Sequence, residues 1–198
     1  MTPSALLIRR KAVSLDDTLI LVALGANLKA RQSVSPLATC QAAFARLVEY
    51  GVSPRRRSSW YVSAPMPESD QDWYINGVVV VDTCLAPSLL LEQLLGVERS
   101  FGRARSDKGG ARTLDLDLLA YGRIVCNGGS RQGLILPHPR IFERAFVLQP
   151  MVEVAPRWSH PVNGRSIGKL AVSLGREQYL LAFSSPLLEI KDKICDKS

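Results

Sequence analysis

The chain has 198 residues, a formal net charge of +7 and a hydrophobic content of 46%, which is enough for one buried core. It contains no apolar run approaching the roughly 18–20 residues that a helix needs to cross a bilayer, so a membrane-spanning protein is not expected. Its cysteines (Cys40, Cys84, Cys126 and Cys195) lie far apart without a CxxC pair, which argues against a disulfide framework or a thiolate metal site and favours a reducing, cytoplasmic location.

The composition predicts three parts along the chain. Residues 1–16 are basic near their start but contain no convincing signal peptide, and we expect a flexible extension. Residues 17–184 form a single domain. Residues 185–198 are rich in charge and are expected to be a frayed tail.

The first half of the domain predicts three strands and a helix. The apolar run Thr18–Leu24 is typical of a central strand. A helix follows from Ser35, with Pro36 at its first position, to a stop at Gly51. A polar, basic strand is predicted over Val52–Val62, and the β-branched segment Tyr74–Val81 is a further strand.

The second half continues with a helix from Pro87 to near Gly102 and a strand over Thr113–Tyr121, which Gly122 turns toward a short partner at Ile124–Cys126. The order β-α-β-β-α-β predicts an α+β fold of the ferredoxin-like type, with two helices on one face of a largely antiparallel sheet. The rest is predicted as C-terminal additions, including helices near Ile141–Phe146 and Ile167–Leu174.

Two carboxylates mark the strand Thr113–Tyr121. Because side chains alternate along a strand, Asp115 and Asp117 share one face with Cα atoms roughly 6–7 Å apart. Mg²⁺ prefers such hard oxygen ligands, and bound cations would keep both carboxylates ionised. An isolated DxD pattern is more often a solvated strand end, so the neighbouring residues decide between the two interpretations.

Those neighbours are cationic. The segment before the strand contains Arg103, Arg105, Lys108 and Arg112, and arginines beside metal-binding carboxylates are typical of phosphoryl transfer. The positive charge sits next to acidic groups, which favours a polyanionic small molecule over a nucleic acid.

Six ordered blocks of the sequence carry a more specific likeness. They are VALGANL, SSWYVSAP, QDWYINGVVVV, VERSFGRAR, KGGARTLDLDLLAYG and LPHPRIFERAFVLQPMVEVAP, and they span about Leu21 to Pro156. Together they resemble the 6-hydroxymethyl-7,8-dihydropterin pyrophosphokinase family of folate biosynthesis. The resemblance implies a ferredoxin-like fold, ATP as co-substrate, two Mg²⁺ ions, and pyrophosphoryl transfer to the pterin hydroxymethyl group with release of AMP.

The same resemblance assigns roles to individual residues. It implies that Asp115 and Asp117 bind the metal. The residues implied in catalysis and in binding the ATP phosphates are Arg103, Arg105, Arg112, His138 and Arg144. Glu98 and Lys108 would complete the ATP site, although Glu98 alone would be interpreted as a solvated helix charge. The residues implied in pterin binding are Ser63, Ala64, Pro65, Tyr74, Asn76, Asp115 and Phe146.

Two other functions stay open at this stage. The net charge and two aromatic residues taken as exposed, Trp60 and Tyr61, are compatible with a domain that binds RNA on its sheet. Another Mg²⁺/ATP-dependent transferase with a different acceptor would share the DxD and the arginines. Under the leading hypothesis we expect a monomer without nucleic-acid or membrane partners, with association with other folate-pathway enzymes as an alternative.

Overall fold

The computed structural model of the protein describes residues 14–31, 33–103, 111–129, 133–174, 178 and 180–183. Short 3₁₀ helices occupy Leu15–Thr18 and Leu47–Tyr50. The strands are β1 (Ile20–Ala26), β2 (Ser53–Arg57), β3 (Tyr61–Ser63), β4 (Tyr74–Asp82), β5 (Asp115–Tyr121), β6 (Cys126–Asn127), β7 (Ile135–Leu136) and β8 (Leu180–Ala182). The helices are α1 (Pro36–Arg46), α2 (Pro87–Ser100), α3 (Ala145–Val154) and α4 (Ile167–Ser173). None of these helices is long and apolar enough to span a membrane.

The main sheet has the strand order β5-β1-β4-β3-β8, with β2 also paired to β4. Every described pairing in it is antiparallel, which confirms the predicted mixed fold with a largely antiparallel sheet. β1 and β4 lie at the centre, and their β-branched and leucine side chains are buried on both faces. The N-terminal end of β5 therefore lies beside the C-terminal end of β1.

Helices cover both faces of the sheet. On one face Cys40 of α1 and Leu90 of α2 pack in a cluster with Leu116 of β5. On the opposite face Leu148 of α3 packs in a second cluster with Leu119 of β5. Helices α3 and α4 thus bury the second face of the sheet.

Two predicted strands differ from the structure. The predicted strand Val52–Val62 is two strands, because its pairing with β4 is interrupted at residues 58–60, where the Ser58 hydroxyl accepts a hydrogen bond from the Val78 N–H at 3.0 Å. Trp60 enters the core there and is 6% exposed, so the prediction of an exposed Trp60 is wrong. The predicted partner Ile124–Cys126 of the acidic strand is also wrong, because β6 pairs with β7 instead.

The remaining boundaries shift for local reasons. The strand predicted from Thr18 begins at Ile20, because Ser14 and Asp17 form a capping box around the preceding 3₁₀ helix. The helix predicted near Ile141–Phe146 is wrong, since turns occupy residues 138–143 and α3 begins at Ala145. β8 was not predicted. Residues 1–13 of the predicted extension and the predicted tail 185–198 lie outside the described residues.

The start of the described chain is anchored to its C-terminal part. Asp17 is buried, and its Oδ1 accepts hydrogen bonds from the Ser159 N–H at 2.9 Å and from the Ser159 hydroxyl at 3.1 Å. Its Oδ2 lies 3.1 Å from Nη1 of Arg123. These contacts hold the entry to β1 against the segment that follows α3.

Candidate active site

A cavity of about 240 Å³ lies at the end of the sheet where β1, β4 and β5 meet. It brings together ten of the residues assigned by resemblance. The uncharged ones are Ser63, Ala64, Pro65, Tyr74, Asn76 and Phe146, and the charged ones are Arg112, Asp115, Asp117 and Arg144. We call the first set the uncharged wall of the cavity and the second set its ionic wall.

The two carboxylates lie on the same face of β5, as the alternation predicts. Asp115 is in register with Gly25 of β1, and Asp117 with Ala23. Leu116 and Leu118 between and beyond them are buried in the cluster under α1 and α2. The acidic face therefore points toward α3 and the cavity.

Four cationic or titratable side chains converge on these carboxylates. Nη1 of Arg103 lies 3.0 Å from Oδ1 of Asp115, and Arg112 contacts the same oxygen. On Asp117, Oδ2 accepts a hydrogen bond from Nη1 of Arg144 at 2.8 Å. Nε2 of His138 lies 3.9 Å from that same oxygen. Arg105 and Lys108, the other cations assigned by resemblance, lie outside the described residues.

The pKa of Arg112 depends on its burial and on the acidic groups around it. Burial lowers the pKa of the Arg112 guanidinium, but the charge and hydrogen bond of Asp115, together with the charges of Asp117 and Tyr74, outweigh that effect and leave the pKa raised. Arg112 is therefore a permanent cation beside the carboxylates.

His138 is electrically neutral at ordinary pH. Burial lowers the pKa of its imidazole, although the charge of Asp117 acts in the opposite direction. Its Nδ1 accepts a hydrogen bond from the Arg140 N–H at 3.2 Å. A neutral ring that accepts at Nδ1 carries its hydrogen on Nε2, so the nitrogen that faces Asp117 is a donor.

Glu98 lies beneath the carboxylates. It is 1% exposed, so its interpretation as a solvated helix charge is wrong. Its Oε1 accepts a hydrogen bond from the Leu116 N–H at 2.7 Å and contacts Arg103. Burial raises the pKa of this carboxyl group to about 7, against the opposing effects of its hydrogen bonds. Glu98 thus supports both the acidic strand and Arg103 from inside, and its assigned contact with ATP stays a prediction.

The uncharged wall is organised around Asn76. Its Nδ2 donates a hydrogen bond to the Ser63 hydroxyl at 2.9 Å, which joins β3 to β4 at the cavity edge. A side chain on Gly25 would place its Cβ 3.1 Å from Oδ1 of Asn76, so a glycine at that position leaves the amide room. The aromatic rings of Tyr74 and Phe146 line the same cavity.

Sequence reasoning missed Asn27, which is 2% exposed and lies just after β1. Its Oδ1 accepts a hydrogen bond from the Arg112 N–H at 2.7 Å, and its Nδ2 donates to the Asp72 carbonyl at 3.2 Å. Asn27 therefore connects the basic segment to the loop before β4. Arg140 lines the cavity and was also missed, although its place two residues after His138 could have indicated it.

Comparisons with known proteins place the chain among relatives of one family. The model of the family 7,8-dihydro-6-hydroxymethylpterin-pyrophosphokinase (HPPK) matches residues 21–156. A Synechocystis protein named 2-amino-4-hydroxy-6-hydroxymethyldihydropteridine pyrophosphokinase is 43% identical over 120 residues, covering 61% of this chain and 60% of that protein. A Pseudomonas aeruginosa protein of the same name is 39% identical over 157 residues, covering 76% of this chain and 88% of the relative.

Other relatives are longer proteins. The Arabidopsis thaliana folate synthesis bifunctional protein, mitochondrial, is 36% identical over 135 residues, which are 68% of this chain and 23% of that protein. The crystal structure of wild-type Plasmodium falciparum HPPK-DHPS with pteroate has a TM-score of 0.58 at 13% identity, covering 78% of this chain and 44% of that one. The chain thus spans less than two thirds of the length of several proteins that it matches.

Proposed function

The chain belongs to the 7,8-dihydro-6-hydroxymethylpterin-pyrophosphokinase family, and we propose that it transfers the pyrophosphoryl group of ATP to the hydroxymethyl group of 6-hydroxymethyl-7,8-dihydropterin. The products would be the pterin diphosphate and AMP, in a step of folate biosynthesis. One observation carries the proposal: Asp115 and Asp117 meet Arg103, Arg112, His138 and Arg144 at a cavity whose other wall is aromatic and amide-bearing.

The uncharged wall suits a flat heterocycle. A planar ring gains from stacking on aromatic side chains, and Tyr74 and Phe146, which line the cavity, would offer this. The Asn76 amide oxygen would accept a hydrogen bond from the edge of a pyrimidine-like ring, while its amide nitrogen donates to Ser63 and to the Tyr74 carbonyl. Ser63, Ala64 and Pro65 would close that side of the pterin.

The carboxylates fit a divalent cation. Each carboxylate has two oxygens, which are hard donors. The described contacts engage Oδ1 of Asp115 and Oδ2 of Asp117. Among the described residues no group of three or more acidic, histidine or cysteine side chains could hold a metal. Mg²⁺ is commonly held by one or two carboxylates together with substrate phosphates, and Asp115 and Asp117 would supply such a pair. Bound there, Mg²⁺ would neutralise phosphate charge, and we propose two such ions.

The cations suit the triphosphate. Arg112 and Arg144 each form an ion pair with a carboxylate. Each guanidinium has five N–H donors, so hydrogen bonds remain for phosphate oxygens. With Arg103 they would orient the transferred group and stabilise its charge. The Nε2–H of His138 would donate a further hydrogen bond to a phosphate oxygen. We also propose that Glu98, Arg105 and Lys108 belong to the ATP site.

Several finer points belong to the same proposal. The strand order β5-β1-β4-β3 supports a ferredoxin-like core, with α3, α4 and β8 added to it. We expect a cytoplasmic monomer. Association with other folate-pathway enzymes is also proposed, because relatives include a longer folate synthesis bifunctional protein.

An RNA-binding function loses its support. It relied on exposed aromatic side chains, but Trp60 is buried and Tyr61 is half-buried with its hydroxyl bonded to Glu153. The neighbouring Arg57 lies 4.4 Å from the Trp60 ring centroid, and Arg55 pairs with Asp82 at 2.7 Å. Both arginines are therefore already engaged.

The test is product analysis. The purified chain is incubated with ATP, Mg²⁺ and 6-hydroxymethyl-7,8-dihydropterin, and nucleotides are separated by chromatography. We expect AMP in equal amount to the pterin diphosphate, and no AMP when the pterin is omitted. ADP as the nucleotide product, or AMP that forms without the pterin, would refute the proposal.

A further inference from the structure

We propose that Gln178 is a positioning residue of this active site, holding Arg144 and Phe146 in place from the C-terminal segment. The inference rests on the proposed function and deepens it. Gln178 lies beyond residue 156, where the family match ends. It does not line the main cavity, so it would act through its neighbours.

Helix α3 begins in a way that needs outside help. Its N-cap residue is Arg144, which has an extended backbone and makes no side-chain capping hydrogen bond. An arginine side chain has only donors and cannot accept from the first amides of a helix. Its guanidinium is directed instead to Asp117, at 2.8 Å. The Ala145 N–H therefore needs an acceptor from elsewhere in the chain.

Gln178 supplies that acceptor and a second bond. Its Oε1 accepts from the Ala145 N–H at 2.7 Å, and its Nε2 donates to the Glu143 carbonyl at 2.7 Å. The two hydrogen bonds engage the backbone on both sides of Arg144. One side-chain amide thus restrains the φ and ψ angles of the residue between them.

The restraint is transmitted to both walls of the active site. The guanidinium of Arg144 donates a hydrogen bond to Asp117, and the aromatic ring of Phe146 lines the cavity. Gln178 lines a smaller neighbouring cavity of about 90 Å³ together with Phe146. In the sequence Gln178 lies two residues before Leu180 of β8, which pairs with Ser63 at the edge of the main cavity.

The kinetic test compares two glutamine substitutions. In Gln178→Ala, loss of the two hydrogen bonds loosens Arg144 and Phe146, and we expect the KM for the pterin to rise about 3- to 10-fold, with a fall in kcat. Gln149→Ala is the matched control, because Gln149 is an exposed residue of α3 that lines a surface groove together with Gln178. We expect its kinetic constants to be those of the unchanged chain. Equal kinetics for both variants would overturn the inference.

Hydrogen exchange tests the geometry without activity. In Gln178→Ala we expect faster exchange at the Ala145 amide, while the amides later in α3 keep their protection. Gln178→Glu retains the acceptor and loses the donor, so protection at Ala145 should return. Unchanged exchange at Ala145 in Gln178→Ala would overturn the inference.

The two tests separate the inference from the proposed function. If the unchanged chain forms no AMP, the proposed function fails, and exchange at residues 144–146 alone decides whether Gln178 positions them. If the unchanged chain forms AMP but Gln178→Ala matches it in kinetics, only the positioning role fails. A lower melting temperature of Gln178→Ala with an unchanged KM would also refute the positioning role, because it would show that Gln178 acts only on stability.

Discussion

Replacing Glu98 by Gln should change how the stability of the protein depends on pH. Glu98 is buried beneath the acidic strand, and its pKa is raised to about 7 from an ordinary value of 4.5 by burial. The unfolded chain loses this proton near pH 4.5, whereas the folded chain keeps it to near pH 7. The folded state is therefore destabilised relative to the unfolded chain as the pH rises between these two values.

The size of the effect follows from the shift. Each pKa unit corresponds to about 1.4 kcal/mol, so Glu98 should destabilise the folded state by about 3 kcal/mol at a pH above 7 relative to a pH below 4.5. Most of this loss, about 2.5 kcal/mol, falls between pH 5 and pH 8. In Glu98→Gln the side chain does not titrate, and this part of the pH dependence should vanish.

The assay is urea unfolding at the two pH values, without Mg²⁺ or nucleotide. The control is Glu92→Gln, an exposed position on the same helix that changes the net charge equally. We expect the free energy of unfolding of the Glu98→Gln variant, relative to that of the control, to rise by about 2.5 kcal/mol between pH 5 and pH 8. Parallel pH dependence in both variants would refute the argument that Glu98 is protonated in the folded protein.

Three further substitutions test other parts of the account. Asp117→Asn should lower turnover at least about 100-fold while circular dichroism stays that of the folded chain, and substantial turnover at saturating Mg²⁺ would argue against a metal-binding carboxylate. Asn76→Ala should raise the KM for the pterin about 10-fold with little change in the KM for ATP, and the reverse pattern would place the amide at the nucleotide. Gly77→Ala should lower the free energy of unfolding by about 1–3 kcal/mol, because the added Cβ would lie 2.9 Å from two carbon atoms of the Trp60 ring. A urea titration that shows an unchanged midpoint would mean that the ring moves freely.

The acidic strand could be predicted because its signal is local. Alternation along β5 places Asp115 and Asp117 on one face and Leu116 on the other whatever the strand packs against, and the structure agrees. Helix α1 was also predictable, since Ser35 and Pro36 form its start within a few residues of chain.

Other features depend on distant partners and leave no local signal. The break between β2 and β3 depends on Trp60 packing over Gly77. Glu98 looks like an ordinary helix charge until β5 brings the Leu116 amide to it. The start of α3 at Ala145 depends on Gln178, which lies 33 residues away in the sequence. These contacts can be seen only once the sheet is assembled.

The central claim is that the β- and γ-phosphates of ATP are transferred to the pterin as one unit at the ionic wall of the cavity. The most direct measurement follows the label from ATP carrying radioactive phosphorus at the β position, with Mg²⁺ and 6-hydroxymethyl-7,8-dihydropterin. The account predicts that the label appears on the pterin product and leaves AMP unlabelled. A label that stays with the nucleotide, as ADP, would contradict it.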